Sequence, residues 1–459
     1  MRHAVRPLYA LLVLASALAP ARAQDSRVPP AWSRDAVIYE VNVRQYTPEG
    51  TFAALRPHLT RIRALGVDML WLMPVQRIGK LNRKGSLGSY YSIADYRSVN
   101  PEFGTAADLR AFLADAHGRG MKVIIDWVPN HTAFDHPWVA QHPDWYVHRA
   151  DGSVSNAVDE SGKATDWTDV AQLDYRNPAM RAAMIADMRW WLDVMHVDGF
   201  RCDFASGVPM DFWLEARRQL RIGRPGLFML AEAESPALGM AFDMSYGWEL
   251  YHLLNDVTEG KKPTSELDAY VNRQWRAYRS RDFRMTFTSN HDENSWNGTE
   301  FERMGSNHQA AFVLAATMRG SMPLLYTGQE VSLNKRLRFF EKDTVDWNGP
   351  SLAPFYTSIF ALRHAEPALW NGAWGGNQVS LNNNGGNRVY AFSRTLGANN
   401  VVVAVNFGDT ASAVSYSGLV HTGRYTDWFS KAPVPLGNAG RLDIPAHGWR
   451  VLVNGPAAR

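Results

Sequence analysis

"MKVIIDWVPNH", residues 121–131, opens as a short apolar run and closes on Asp126, Asn130 and His131. An amphipathic stretch, about 105–119, precedes it. The same unit of apolar run, polar loop and amphipathic stretch recurs on both sides. Candidate strands fall at 36–43, 67–74, 121–128, 197–204, 226–232, 240–246, 284–290 and 322–328. Helical patterns follow most of them, at about 51–65, 105–119, 178–196, 209–222, 264–280, 307–319 and 351–365. Eight strands alternating with helices predict an α/β fold whose parallel sheet closes into a (β/α)8 TIM barrel. The fifth unit is the weakest, since little room for a helix exists between Glu232 and the sixth strand.

Two regions break the alternation. Residues 132–175 follow the third strand and are too long and too aromatic for an ordinary barrel loop, which predicts a small inserted domain. Beyond about residue 369 the runs become short and alternating, as in "NVVVAVNFG", with Gly and Asn turns between them. That pattern predicts a C-terminal antiparallel β-sandwich over 369–459. The barrel would then occupy 30–131 and 176–368.

The first 23 residues resemble a secretory leader: Arg2 and Arg6, then "LYALLVLASALA", then the small-x-small site Ala21-Arg22-Ala23. We expect an exported protein, periplasmic or extracellular, with no membrane span after cleavage. The leader carries three arginines and no acid, which leaves 45 basic against 45 acidic residues. A neutral chain gives a nucleic-acid partner no electrostatic support. The single Cys202 excludes an intramolecular disulfide, so stability rests on a core that 46% hydrophobic composition can supply.

In barrels of this kind the reacting groups stand at the carboxyl ends of strands. The third strand ends with Asp126, Asn130 and His131, and the fourth with Arg201 and Asp203. The fifth ends with Glu232 and Glu234, and the seventh, "TSNHDEN", with His291 and Asp292. One Asp after a strand is usually a helix cap. Three carboxylates at the ends of three different strands are not explained that way. Opposed carboxylates are what glycosidic cleavage needs, one at the anomeric carbon and one protonating the leaving oxygen. Arg201 and Asp203 share a strand face, so the guanidinium is expected to hold Asp203 ionised and lower its pKa.

The order "DWVPNH", "GFRCDF", "LAE", "SNHD" resembles the α-amylase family, glycoside hydrolase family 13, across nearly the whole chain after the leader. "GVDMLWLMP", "VAQLD" and "YTGQE" are similar to further family segments in the same order. The resemblance implies Asp203 as nucleophile of a retaining displacement, Glu232 as general acid/base and Asp292 as stabiliser of the transition state. It implies that Tyr91 stacks on the sugar being cleaved and that His131, His291 and Arg201 serve substrate binding. Glu234 is the rival acid, two residues along the same strand. The implied substrate is an α-glucan, and the short insert favours malto-oligosaccharides over granules.

The pattern also departs from the family. Ser206 and Gly207 stand where Lys and His often serve substrate and calcium. Asn130 and Asp174 remain as candidate calcium ligands, with calcium as the one cofactor expected. The motifs leave open an α-glucan transglycosylase, a trehalose synthase-like isomerase, a neopullulanase or α-1,6-glucosidase-like hydrolase, and an inactive sugar-binding barrel.

Overall fold

The apolar runs pair side by side, all in parallel, in a computed structural model that describes residues 28–159 and 161–454. The expected leader, 1–23, lies outside the described residues. Eight strands close a barrel in chain order: Ile38–Val41, Met69–Leu72, Lys122–Trp127, Gly199–Cys202, Phe228–Ala231, Met244–Tyr246, Phe283–Thr286 and Ser321–Tyr326. The interior is plugged by Ile38, Met69, Trp71, Ile124, Leu230, Met285 and Leu324, all buried. The period-two alternation of a strand then sets Glu40 and Asp126 one layer above Ile38 and Ile124. A polar layer therefore caps an apolar barrel. Gly199 permits close strand packing, because a Cβ there would lie 1.9 Å from the Phe228 carbonyl oxygen.

The outer helices form where apolar residues recur every three or four positions. Ala106–Gly118 buries Leu109, Phe112, Leu113 and Ala116. It starts at a capping box in which Thr105 and Asp108 exchange hydrogen bonds, worth about 1 kcal/mol. Met210–Leu220 and Ala353–Ala365 also fall where periodicity places them. His308–Thr317 is buried all round, since it lies between the barrel and the C-terminal sheet.

Three expectations need correction. The sixth strand, expected over 240–246, shrinks to Met244–Tyr246, preceded by a 3₁₀ turn, Pro236–Met240, where little room for a helix was expected. The pattern over 264–280 yields the helix Glu266–Ala277, and a second helix, Trp248–Thr258, precedes it. That helix was legible in the spacing of Leu250, Leu253, Leu254 and Val257, which are buried. The pattern over 178–196 is helical to Trp190, then widens into a π turn, Trp191–Met195, which ends at His196 with φ of 62°.

Between the third and fourth strands, His131–Ala133 pairs antiparallel with Val170–Gln172. After the last helix, a six-stranded and a three-stranded antiparallel sheet face each other across Val389, Val402, Val414, Leu442 and Leu452. Along the strand Asn399–Asn406 the residues alternate sides. Val402 faces the second sheet, while Val401, Val403 and Val405 join the core of the barrel. That shared core fastens the two parts together.

Candidate active site

Arg201 organises the centre. It is wholly buried in the fourth strand, in register with Asp126 of the third and Leu230 of the fifth. Its Nη1 donates to Asp126 Oδ1 at 2.8 Å and to Asp203 Oδ1 at 2.9 Å, and its Nε to the Tyr246 hydroxyl at 3.1 Å. Its Nη2 stands 2.7 Å from Glu232 Oε1, too far off the N–H axis for a hydrogen bond. One positive charge is thus divided among three carboxylates. Such buried ion clusters add little net stability. Here they fix the directions of the acids.

Burial outweighs that shared charge. Burial, with Asp203 and Asp292 nearby, raises Glu232 to about 8, and burial with Asp126 nearby raises Asp203 to about 6. Arg201 does pull Asp203 down, as expected, but the net shift is upward: a guanidinium shared three ways does not offset the loss of water around the carboxylate. Asp203 still ionises before Glu232. The larger rise at Glu232 favours it as the group that keeps a proton near neutral pH.

Glu232 Oε2 accepts from the Phe204 backbone N–H at 2.8 Å. Phe204 reaches this position with φ of 41°, a conformation costly for any residue with a Cβ. Glu234 points elsewhere. Its Oε2 accepts from the Glu249 backbone N–H at 2.6 Å, at the start of helix Trp248–Thr258. It does not line the cleft, whereas Asp203, Glu232 and Asp292 all do. Cys202 is buried and its thiol is pushed up by burial.

The segment His291 to Asn294 divides into distinct tasks. His291 Nδ1 is 2.6 Å from Glu40 Oε1, and its Nε2 is 2.7 Å from the Tyr91 hydroxyl and 3.3 Å from Asp292 Oδ2. Burial opposes its charge, but Asp292 and Glu40 raise its pKa well above the ordinary value. Burial also pushes Asp292 up, yet the His291 charge prevails and holds it low. Asp292 makes no capping hydrogen bond, and 36% of its side chain faces the cleft. Asn290 caps the turn instead, accepting from the Glu293 N–H. Asn294 binds Leu337 N and Lys335 O, which ties the seventh loop to the eighth.

Tyr91 donates to Asp126 Oδ2 at 3.0 Å and stacks on both His291 and Phe339. His131 lines the cleft beside Trp167, and burial lowers its pKa to about 4, so it is neutral. The cleft encloses about 570 Å³, within the roughly 300–1,000 Å³ of small-molecule sites. Two supports went unselected as site residues in the sequence. Glu40 holds His291, and Asp126 holds both Arg201 and Tyr91. Asp126 stood out at the end of the third strand without a role, and the only signal of Glu40 is a charge inside an otherwise apolar strand.

This geometry meets its counterpart in known proteins. The alpha-amylase catalytic-domain model matches residues 25–351, and the alpha-amylase C-terminal all-beta domain model matches 380–455. The chain belongs to the alpha-amylase family. Alpha-amylase MalA of Haloarcula japonica is 30% identical over 406 residues, 84% of this chain and 57% of that protein. A cyclomaltodextrin glucanotransferase of Niallia circulans is 28% identical, over 79% of this chain and 54% of that one. The chain spans little more than half the length of these curated relatives. Among solved structures, the noncanonic maltogenic alpha-amylase AmyB of Thermotoga neapolitana superposes with a TM-score of 0.82 at 27% identity. It covers 91% of this chain, which covers 98% of it. An alpha-amylase of Lactobacillus plantarum also gives 0.82, at 29% identity and 92% and 100% coverage.

In this alpha-amylase-family enzyme the two candidate calcium ligands are engaged elsewhere. Asn130 Oδ1 accepts from Gln172 Nε2 at 3.1 Å, and Asn130 Nδ2 donates to Gln172 Oε1 at 3.2 Å. Both Asp174 oxygens accept from Arg176. No group of three or more His, Cys, Asp or Glu among the described residues is placed to hold a metal ion. As arranged, the pair does not fit calcium. No helix among the described residues is long and apolar enough to cross a membrane.

Proposed function

We propose that this alpha-amylase-family enzyme is an exported, retaining α-glucan hydrolase that cleaves α-1,4-glucosidic bonds of malto-oligosaccharides. The observation that carries the reading is geometric: two buried carboxylates on neighbouring strands, Asp203 and Glu232, flank one Arg201 and line the same cleft as Asp292. Burial raises Glu232 further than Asp203, which suits Glu232 to hold the proton. In the first step an Asp203 oxygen bonds to the anomeric carbon as the glycosidic C–O bond breaks. Glu232 delivers its proton to the departing oxygen, leaving a covalent β-glycosyl-enzyme. In the second step water attacks that carbon, Glu232 takes the water proton, and Asp203 is released. Asp292, kept ionised by His291, stabilises the positive character that develops on the sugar ring. Tyr91 and His131 line the cleft and supply a flat face and a polar edge, while Arg201 and His291, both buried and absent from the cleft lining, act by positioning the acids.

The leader-like segment supports export to the periplasm or beyond. The names of the relatives support an α-glucan substrate, and they span hydrolases and transferases. Chromatography of products from a panel of α-1,4 and α-1,6 glucans tests the reading. Short reducing sugars from α-1,4 glucans support it. Trehalose from maltose would mean an isomerase, longer chains a transglycosylase, and cleavage confined to α-1,6 bonds would replace the linkage assigned here.

A further inference from the structure

The loop after the second strand includes "GKLNRKGSLGSYYS", residues 79–92. Its tip is fastened to both walls of the cleft. Toward the segment inserted after the third strand, Lys80 N donates to Asp135 Oδ2 at 2.8 Å. Lys84 Nζ donates to Asp166 O at 2.7 Å and stands 3.8 Å from Asp169 Oδ1. Toward the loop after the eighth strand, Ser86 N donates to Glu341 Oε1 at 2.8 Å and Leu87 N to Phe340 O at 3.1 Å. Buried Arg44 joins the same two loops, donating to Gly88 O at 3.1 Å and Phe339 O at 3.2 Å. A Cβ at Gly85, where φ is 62°, would come within 2.5 Å of Phe340 Cβ. Only glycine lets the chain lie this close.

The barrel order fixes where this strap lies. Strands follow one another around the barrel in chain order, so a bridge from the third-strand insert to the eighth-strand loop crosses above the first and second strands. The acids rise from the fourth, fifth and seventh. Lys84 and Tyr91 of this loop line the same cleft as Asp203 and Glu232. The acid that protonates a leaving oxygen must stand on the leaving-group side. Glu232, on the fifth strand, lies across the barrel from the strap, which crosses above the first and second strands. The leaving sugars therefore extend away from the strap. The sugar whose anomeric carbon is attacked, and everything on its non-reducing side, lies toward it.

We infer that strap 79–89, pinned by Lys84 and by the Ser86–Glu341 contact, ends the cleft on the non-reducing side. The enzyme then acts on α-glucan chain ends, releasing short malto-oligosaccharides from the non-reducing end. The inference rests on the hydrolase reading above. Specificity here comes from a wall that rejects chain continuing past it.

The test compares maltoheptaose carrying a chromophore at its reducing end, either free or blocked by a 4,6-acetal at its non-reducing end. The wild-type enzyme should lose at least a hundredfold in kcat/KM on the blocked form. Lys84→Ala/Glu341→Ala should recover at least tenfold of that discrimination by loosening the strap. Lys84→Ala alone serves where the double substitution lowers the melting temperature. Equal cleavage of both forms by the wild type overturns the inference while leaving the hydrolase reading intact. Discrimination that neither variant relaxes overturns the role of the strap. No cleavage of the free form overturns the hydrolase reading, and the inference with it.

Discussion

Replacing Glu232 with glutamine removes the transferable proton while keeping the shape of the side chain, which makes it the sharpest probe of the site. The Phe204 N–H requires an acceptor from the side chain, so the amide oxygen must take the place of Oε2. The amide NH₂ then faces Arg201 Nη2, where Oε1 stood at 2.7 Å, a donor against a donor. That mismatch should cost about 1–3 kcal/mol of stability. The effect on activity should be larger. With a pKa of about 8, Glu232 is about nine-tenths protonated at pH 7 and about one-tenth at pH 9. Loss of a general acid costs about 10²–10⁴ in rate, or about 3–5 kcal/mol of transition-state stabilisation. Malto-oligosaccharides, whose leaving sugar needs a proton, should show that full loss in kcat/KM. α-Maltosyl fluoride, whose leaving group needs none, should lose less than about tenfold in the glycosylation step. The wild-type profile on malto-oligosaccharides should be bell-shaped, falling below about 6 as Asp203 protonates and above about 8 as Glu232 ionises. In Glu232→Gln with the fluoride, only the acidic limb should survive. Equal loss on both substrates, or a basic limb that persists in the variant, would refute the assignment of Glu232 as the acid.

Asp203→Asn should remove nearly all turnover while calorimetry still detects malto-oligosaccharide binding, because an amide neither attacks carbon nor carries charge. Loss of binding in step with activity would count against a nucleophile. Asp292→Asn should lower kcat by orders of magnitude with a much smaller change in KM, since its charge acts as the ring becomes cationic. A variant that is less stable by about 1 kcal/mol yet active would return Asp292 to the role of a cap. Gln172→Ala leaves buried Asn130 without its side-chain partner and should cost about 1–3 kcal/mol in denaturant unfolding. Chelator should leave the wild-type melting temperature unchanged, because Gln172 and Arg176 already hold the groups that calcium would need. A chelator-induced fall reversed by calcium would show a site built from other donors.

Much of the fold was legible because each element writes its own period. Apolar runs of the right length marked all eight strands, and alternation marked the C-terminal sheets. The capping residues Thr105 and Asn177 sit where helices begin. The boundaries around the sixth strand were less legible. There a 3₁₀ turn, a three-residue strand and an early helix follow within a few residues, and tertiary pairing decides among them. Within the site, the acids were legible from their place at strand ends, and only the family resemblance favoured Glu232 over Glu234, which share a strand face. The difference between them is a matter of partners: Glu249 N–H captures one, and the Phe204 N–H captures the other.

The sequence by itself determined that eight strands, most of them followed by helices, would close, and that three acids would stand at the ends of three strands. Local periods and strand register encode those facts, and both are properties of short stretches. Only the tertiary structure decided how the charges settle. Arg201 shares one positive charge among Asp126, Asp203 and Glu232, so burial prevails at Asp203 despite the guanidinium two residues away. Glu40 comes from the first strand to hold His291 of the seventh, across 251 residues of chain. Electrostatics in a water-poor interior depends on every neighbour within a few ångströms. Those neighbours arrive from distant parts of the chain, and closure of the barrel brings them together.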